Sequence, residues 1–76
     1  MNGTELRKNF GRRIRILRRL RDLTQTQLAE QTGYSTEYMS RIERGIGTPS
    51  FDTIAAIAVA LDVEPQELFN FAFPFK

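Results

Sequence analysis

Apolar residues recur at spacings of three and four along most of this chain, and the pattern predicts five helices with no strand alternation before the last residues. Leu6, Phe10, Ile14, Leu17 and Leu20 fall on one face of a first helix, which Thr4 is placed to cap and Asp22 and Leu23 to end. Ile16 lies off that stripe, and the pattern gives it no role. Thr24 and Gln27 make a Thr-x-x-Gln capping box for a second helix that buries Leu28 and Ala29 and closes at Gly33. Ser35 caps a third, from about Thr36 to Arg44, with Met39 and Ile42 inward and Gly45 closing it. After Pro49 and Ser50, the residues Ile54, Ile57, Ala58 and Leu61 mark the buried stripe of a fourth. Asp62 is the predicted cap of a short fifth helix, with Pro65 in its first turn and Leu68 and Phe69 packing.

The second and third helices are too short to form a core alone, and their spacing is distinctive. Two helices crossing at about 90–120° over a tight turn need a small residue at the crossing and a turn residue tolerant of positive φ. Ala29 and Gly33 meet those needs, and Met39 and Ile42 clamp the third helix onto the second. Thr36, Glu37, Ser40, Arg41 and Arg44 are then left facing outward. The competing reading is an ordinary helical hairpin within a small bundle.

Composition narrows the function. Seventy-six residues make one small domain, and a chain of this size without staples often gains stability from a partner subunit. With no cysteine and no histidine, disulfides, the usual zinc ligand sets and the commonest general base are all excluded. There is no glycine-rich phosphate loop, and so small a core leaves no room for a pocket of ~300 Å³. The expectation is therefore no enzyme, no cofactor, no metal and no small-molecule ligand. No apolar run approaches the ~18 residues of a membrane span, and the amino end lacks a signal-peptide block, so a soluble cytoplasmic protein is expected.

The formal charge of +2 hides an asymmetry. Up to Asp22, eight basic residues (Arg7, Lys8, Arg12, Arg13, Arg15, Arg18, Arg19 and Arg21) face only Glu5 and Asp22, a net of +6. Leu23–Arg44 carries −1 and the remainder −3. Such polarity suits a positive face turned to a polyanion, and equally a solvated arginine-rich helix.

The stretches LTQTQLAEQTGYS, YMSRIERG, TPSFDTIAAIAVALDV and EPQELF together resemble the phage Cro and repressor DNA-binding domains, the xenobiotic-response-element family. The likeness runs from about Phe10 to Phe69. It implies an all-α, five-helix lambda-repressor-like domain over residues 1–70, with the helix-turn-helix at helices two and three. It also implies a homodimer on double-stranded operator DNA, the third helix lying in the major groove. In that pattern Thr36, Glu37, Ser40 and Arg41 occupy the base-reading positions, while Gln25, Tyr38, Arg44 and Thr48 meet phosphates. Arg41 offers a fork that suits guanine, and Glu37 an acceptor for the cytosine amino group. Glu37 serves equally well as a helix N-terminal charge. The family pattern also pairs Glu43 with Arg18, locking helix one against helix three rather than touching DNA.

One departure concerns the loop Ile46-Gly47-Thr48, which is uncharged where many relatives carry basic or amide groups. The arginines of helix one are expected to supply the missing affinity for phosphate, and binding should then weaken steeply with salt. The tail, residues 71–76, ends FAFPFK, and Phe71, Phe73 and Phe75 alternate along it. Either they make a dimer contact or the tail covers its own core. A two-fold dimer would set two recognition helices about 34 Å apart over an inverted repeat. The expected function is a sequence-specific transcriptional regulator, most often a repressor in this family. The alternative is an antitoxin-like module, or one part of a larger regulator, whose main partner is a protein.

Overall fold

Asn2, not Thr4, begins the first helix of the computed structural model, which describes residues 1–72. The Asn2 side chain accepts from the Glu5 amide at 2.9 Å, and the Glu5 carboxylate accepts from the Asn2 amide at 3.1 Å. Asparagine is among the best caps, and a glutamate three residues on completes the box, so the start moves upstream of Thr4. Helix α1 spans Gly3–Leu20. Helix α2, Gln25–Thr32, carries the Thr24–Gln27 capping box, and α3, Thr36–Glu43, is capped by the Ser35 hydroxyl. Helix α4 spans Phe51–Leu61 behind the Ser50 cap.

The expected fifth helix is a 3₁₀ segment, Pro65–Phe69, so the described residues hold four α-helices and no strand. Asp62 does not cap it. Its own φ is +57°, and its amide donates to Ala58 and Val59, closing α4 in a left-handed turn. The 3₁₀ segment starts after Glu64 with no side-chain cap. Gly33 closes α2 at φ +81°, a conformation glycine adopts without strain.

Helix α1 packs on α3 and on the 3₁₀ segment, α2 packs on α3 and α4, and α4 also meets the 3₁₀ segment. Phe10, Ile14, Leu17, Leu28, Met39, Ile42, Ile57, Leu61 and Leu68 fill the space between them, with Ala29 and Ala58 where elements approach closely. Two members of the expected α1 stripe do not join this core: Leu6 is 40% exposed and Leu20 66%. Ile54 is half-buried at the core's edge, and Thr53 takes a fully buried place beside it. Phe69 stays partly exposed but lays its ring on Phe10, centroids 5.0 Å apart.

Candidate nucleic-acid interface

The serine cap and the inward pair Met39 and Ile42 settle which way α3 turns. With those two side chains almost wholly buried, Thr36, Glu37, Arg41 and Arg44 stand exposed and Ser40 half-exposed. The surface expected to read bases is therefore open to solvent. Its polar groups are lightly engaged. The Thr36 hydroxyl reaches the Thr26 hydroxyl at 3.4 Å, and Arg44 Nε reaches the Ser40 carbonyl at 3.3 Å.

What holds that surface in place is a buried carboxylate. Glu43, at the end of α3, is 3% exposed. Arg18 of α1 meets it as a fork, Nε to Oε2 at 2.6 Å and Nη2 to Oε1 at 3.0 Å. Gln25 of α2 adds its amide nitrogen to Oε1 at 3.0 Å, and Arg15 approaches Oε1 at 3.6 Å while donating to the Glu43 carbonyl at 3.3 Å. One carboxylate thus joins three helices. A bidentate arginine pair shielded from water fixes geometry even where its net stability is small, because both partners lose their bonds if either helix slides. Beside it, Gly11 lets α1 touch the end of α3 backbone to backbone. A Cβ at this position would overlap the Ile42 carbonyl oxygen and come within 2.6 Å of that of Glu43.

Two residues expected to meet phosphate also bond within the domain. The Gln25 amide nitrogen is committed to Glu43, and the Tyr38 hydroxyl shares a hydrogen bond with the Thr53 hydroxyl at 3.3 Å. Thr53 is buried and bonded also to Ser50, so the tyrosine ties α3 to the start of α4. Thr48 lies exposed on the loop between them. Phe71 packs against its own core and edge-on to Phe69, centroids 6.2 Å apart. Phe73 and Phe75 lie outside the described residues.

The arginines of α1 hold a larger surprise. Arg13 donates from Nε to the Glu67 carbonyl at 2.8 Å and from Nη2 to the Glu67 carboxylate at 3.2 Å. Arg18 also reaches the Leu23 carbonyl at 2.7 Å, and Arg21 caps the end of α4 through Leu61 and Asp62 at 2.9 and 3.2 Å. Arg13, Arg15 and Arg21, counted from the sequence only as charge, and Arg18, expected to pair with Glu43, all donate to backbone carbonyls of other segments. Nothing in the helical pattern marks which arginine meets a distant carbonyl. Gly11 did carry a signal: glycine inside a strong helical run costs about 1 kcal/mol and calls for a packing reason.

Comparison with known proteins decides the family. A sequence profile described as a helix-turn-helix domain matches residues 9–70, most of the chain. The chain belongs to the helix-turn-helix family. The likeness to Cro and repressor domains is borne out by its relatives. The immunity repressor protein of Bacillus phage phi105 is 44% identical over 54 residues, covering 71% of this chain and 38% of the repressor. The HTH-type transcriptional regulator SlrR of Bacillus subtilis is 41% identical over 62 residues, covering 80% of this chain and 41% of SlrR. This helix-turn-helix chain thus spans about two-fifths of the length of those curated relatives. Among solved structures, the restriction-modification controller protein C.AhdI from Aeromonas hydrophila superposes with a TM-score of 0.80 at 42% identity, covering 82% of this chain and 94% of that one. No helix among the described residues is long and apolar enough to cross a membrane.

Proposed function

We propose that this chain is a sequence-specific, double-stranded DNA-binding transcriptional regulator, a repressor, that reads the major groove with α3. The observation that carries the reading is the open face of α3, held by the buried Glu43 network rather than packed against its own subunit. Arg41 reads guanine through its two-nitrogen fork, and Thr36, Glu37 and Ser40 sample the neighbouring base edges. Arg44, Thr48 and the first turn of α2 approach the sugar-phosphate backbone, the last through backbone amides rather than the Gln25 side chain. The naming of a phage repressor and of a transcriptional regulator among the relatives supports the same reading.

The regulator acts as a homodimer on an inverted repeat, with half-site centres about one helical turn, roughly 34 Å, apart. Support for a second subunit comes from exposed apolar side chains: Phe51 is 89% exposed and Val59 80%. The same two residues favour the second reading, in which another protein covers them. Selection from random duplexes followed by footprinting tests the main reading, and a short two-fold motif is the expected product. If no duplex is enriched while a stoichiometric protein partner is recovered from cells, the second reading replaces it.

A further inference from the structure

Two sets stand out among the basic residues near the amino end. Arg13, Arg15, Arg18 and Arg21 donate to backbone carbonyls of other segments. Lys8, Arg12 and Arg19 are exposed, and with Arg15 they follow one another at spacings of four, three and four. That spacing sets all four on a single strip of α1. The strip contains no acidic residue; Glu5 precedes it and Asp22 follows it.

Three contacts place this strip relative to α3. A Cβ at Gly45, just past α3, would lie 2.8 Å from the Lys8 Cα. Gly11 touches the Ile42 and Glu43 carbonyls, and Arg15 donates to the latter. Around α1, the core face of Phe10, Ile14 and Leu17 is followed by the α3 seam of Gly11 and Arg18, and then by the strip. Around α3, the core face of Met39 and Ile42 is followed by Glu43 at the seam, and then by Thr36, Ser40 and Arg44. The strip and the reading face therefore open on the same side of the seam. They join where Lys8 meets the turn after Arg44.

From this placement we infer that Lys8, Arg12 and Arg19 form a second phosphate-binding surface, which follows the duplex backbone beyond the bases that α3 reads. The inference rests on the DNA reading of α3. Eleven residues of helix separate Lys8 from Arg19. They cover about 16 Å, and one DNA strand presents a charge about every 3.4 Å along its axis, so the strip spans about four or five phosphates. Arg15 does not bind phosphate in this scheme; it anchors the strip to α3. The loop Ile46-Gly47-Thr48 lacks cationic side chains, and the strip gives the domain a cationic backbone contact that does not depend on that loop.

The test uses the full chain with the combined substitutions Lys8→Gln, Arg12→Gln and Arg19→Gln. Its binding to a mixed-sequence duplex of roughly 30 base pairs is followed against salt concentration. Each lost contact removes about 0.9 from the slope of log affinity against log salt, so the variant's slope is flatter by about 2.7 per protomer. Between about 50 and 200 mM salt, wild type loses on the order of 40-fold more affinity than the variant. The motif that each selects from random duplexes is the same. A companion variant that keeps the charges, Lys8→Arg, Arg12→Lys and Arg19→Lys, retains the wild-type slope, and circular dichroism shows all three proteins folded at the temperature of the binding measurement. If wild type binds and the glutamine variant keeps its full salt slope, the strip does not touch DNA, although α3 still reads it. A change in the selected motif overturns the inference too, since backbone contacts carry no base information. If wild type binds no duplex at any salt, the α3 reading has failed first.

Discussion

Seven basic residues lie within α1 and one within α3, and it is the helix rich in charge that draws arginines into its packing. In α1, Arg13, Arg15 and Arg18 donate to carbonyls of other segments, and Arg21 does so just past the helix end. In α3, Arg41 is exposed and the acidic Glu43 is the residue taken inside. The difference follows from side-chain chemistry. A guanidinium carries five donors on a weakly hydrated plane, and the ends of helices leave carbonyl oxygens without partners. An arginine-rich helix at the centre of a small domain therefore serves as a set of clamps on its neighbours. A recognition helix must keep its polar side chains unspent. Net charge by region, taken from sequence, does not separate these two uses.

The strongest way to break the comparison is to remove the acidic group that both helices share. Glu43→Ala leaves the buried Arg18 without its partner and strips Gln25 and Arg15 of an acceptor. Breaking a buried pair in this way costs about 3–5 kcal/mol, much of the stability of a domain this size. Thermal unfolding followed by circular dichroism should show the midpoint fall by more than about 12 °C. Replacing both partners, Arg18→Met with Glu43→Leu, should recover part of that loss, because no charge is then stranded. A midpoint within a few degrees of wild type for the single variant would mean the carboxylate is not the clamp described.

Next in size is Gly11→Ala. Helix propensity alone favours alanine by about 1 kcal/mol, so a gain would be the naive result. The carbonyls of Ile42 and Glu43 occupy the space a methyl group needs. Forcing the two backbones apart should cost about 1–3 kcal/mol net, with DNA affinity falling further than stability because α3 is displaced. An unfolding midpoint that rises instead would show that α1 and α3 are not in backbone contact.

These two residues also mark how far the sequence can be read. The caps at Thr24, Gln27 and Ser35 and the left-handed Gly33 are local chemistry, complete within a few residues, and the structure has each of them. The outward set on α3 follows from helical periodicity once Met39 and Ile42 are inward. Partners distant in sequence are another matter. Arg13 and Glu67 are 54 residues apart, and only the assembled fold brings a particular guanidinium to a particular carbonyl. The internal bonds of Gln25 and Tyr38 have the same origin, since the buried Glu43 and Thr53 side chains are partners that only packing supplies. Leu6 and Leu20 went astray for a different reason: periodicity gives a helix its face but not the extent of the core beneath it. The fifth helix is a five-residue 3₁₀ segment with no side-chain cap, the tighter geometry that short helical pieces commonly take.

A gentler probe separates reading from folding on α3 itself. Arg41→Ala should leave the unfolding midpoint unchanged, because the side chain is exposed and makes no bond that holds the fold. In selection from random duplexes it should relax preference at one base position, worth about 1–3 kcal/mol of discrimination, while other positions keep theirs. A selected motif identical to that of wild type would remove Arg41 from the reading set.

The smallest effect isolates what the α1 arginines contribute beyond their charge. Arg21 places two nitrogens on two successive carbonyls at the end of α4, Leu61 and Asp62. In Arg21→Lys the charge stays, and so does any attraction to the helix end, but a single ammonium cannot hold both oxygens in the same geometry. Loss of one exposed, charge-assisted bond should cost about 0.5 kcal/mol, a midpoint shift of about 2–4 °C. Arg19→Lys, on the exposed strip, is the matched control and should shift the midpoint by less than about 2 °C. If the two variants behave alike, the fork at Arg21 contributes nothing a point charge does not, and the division between clamping and exposed cations on α1 rests on Arg13, Arg15 and Arg18 alone.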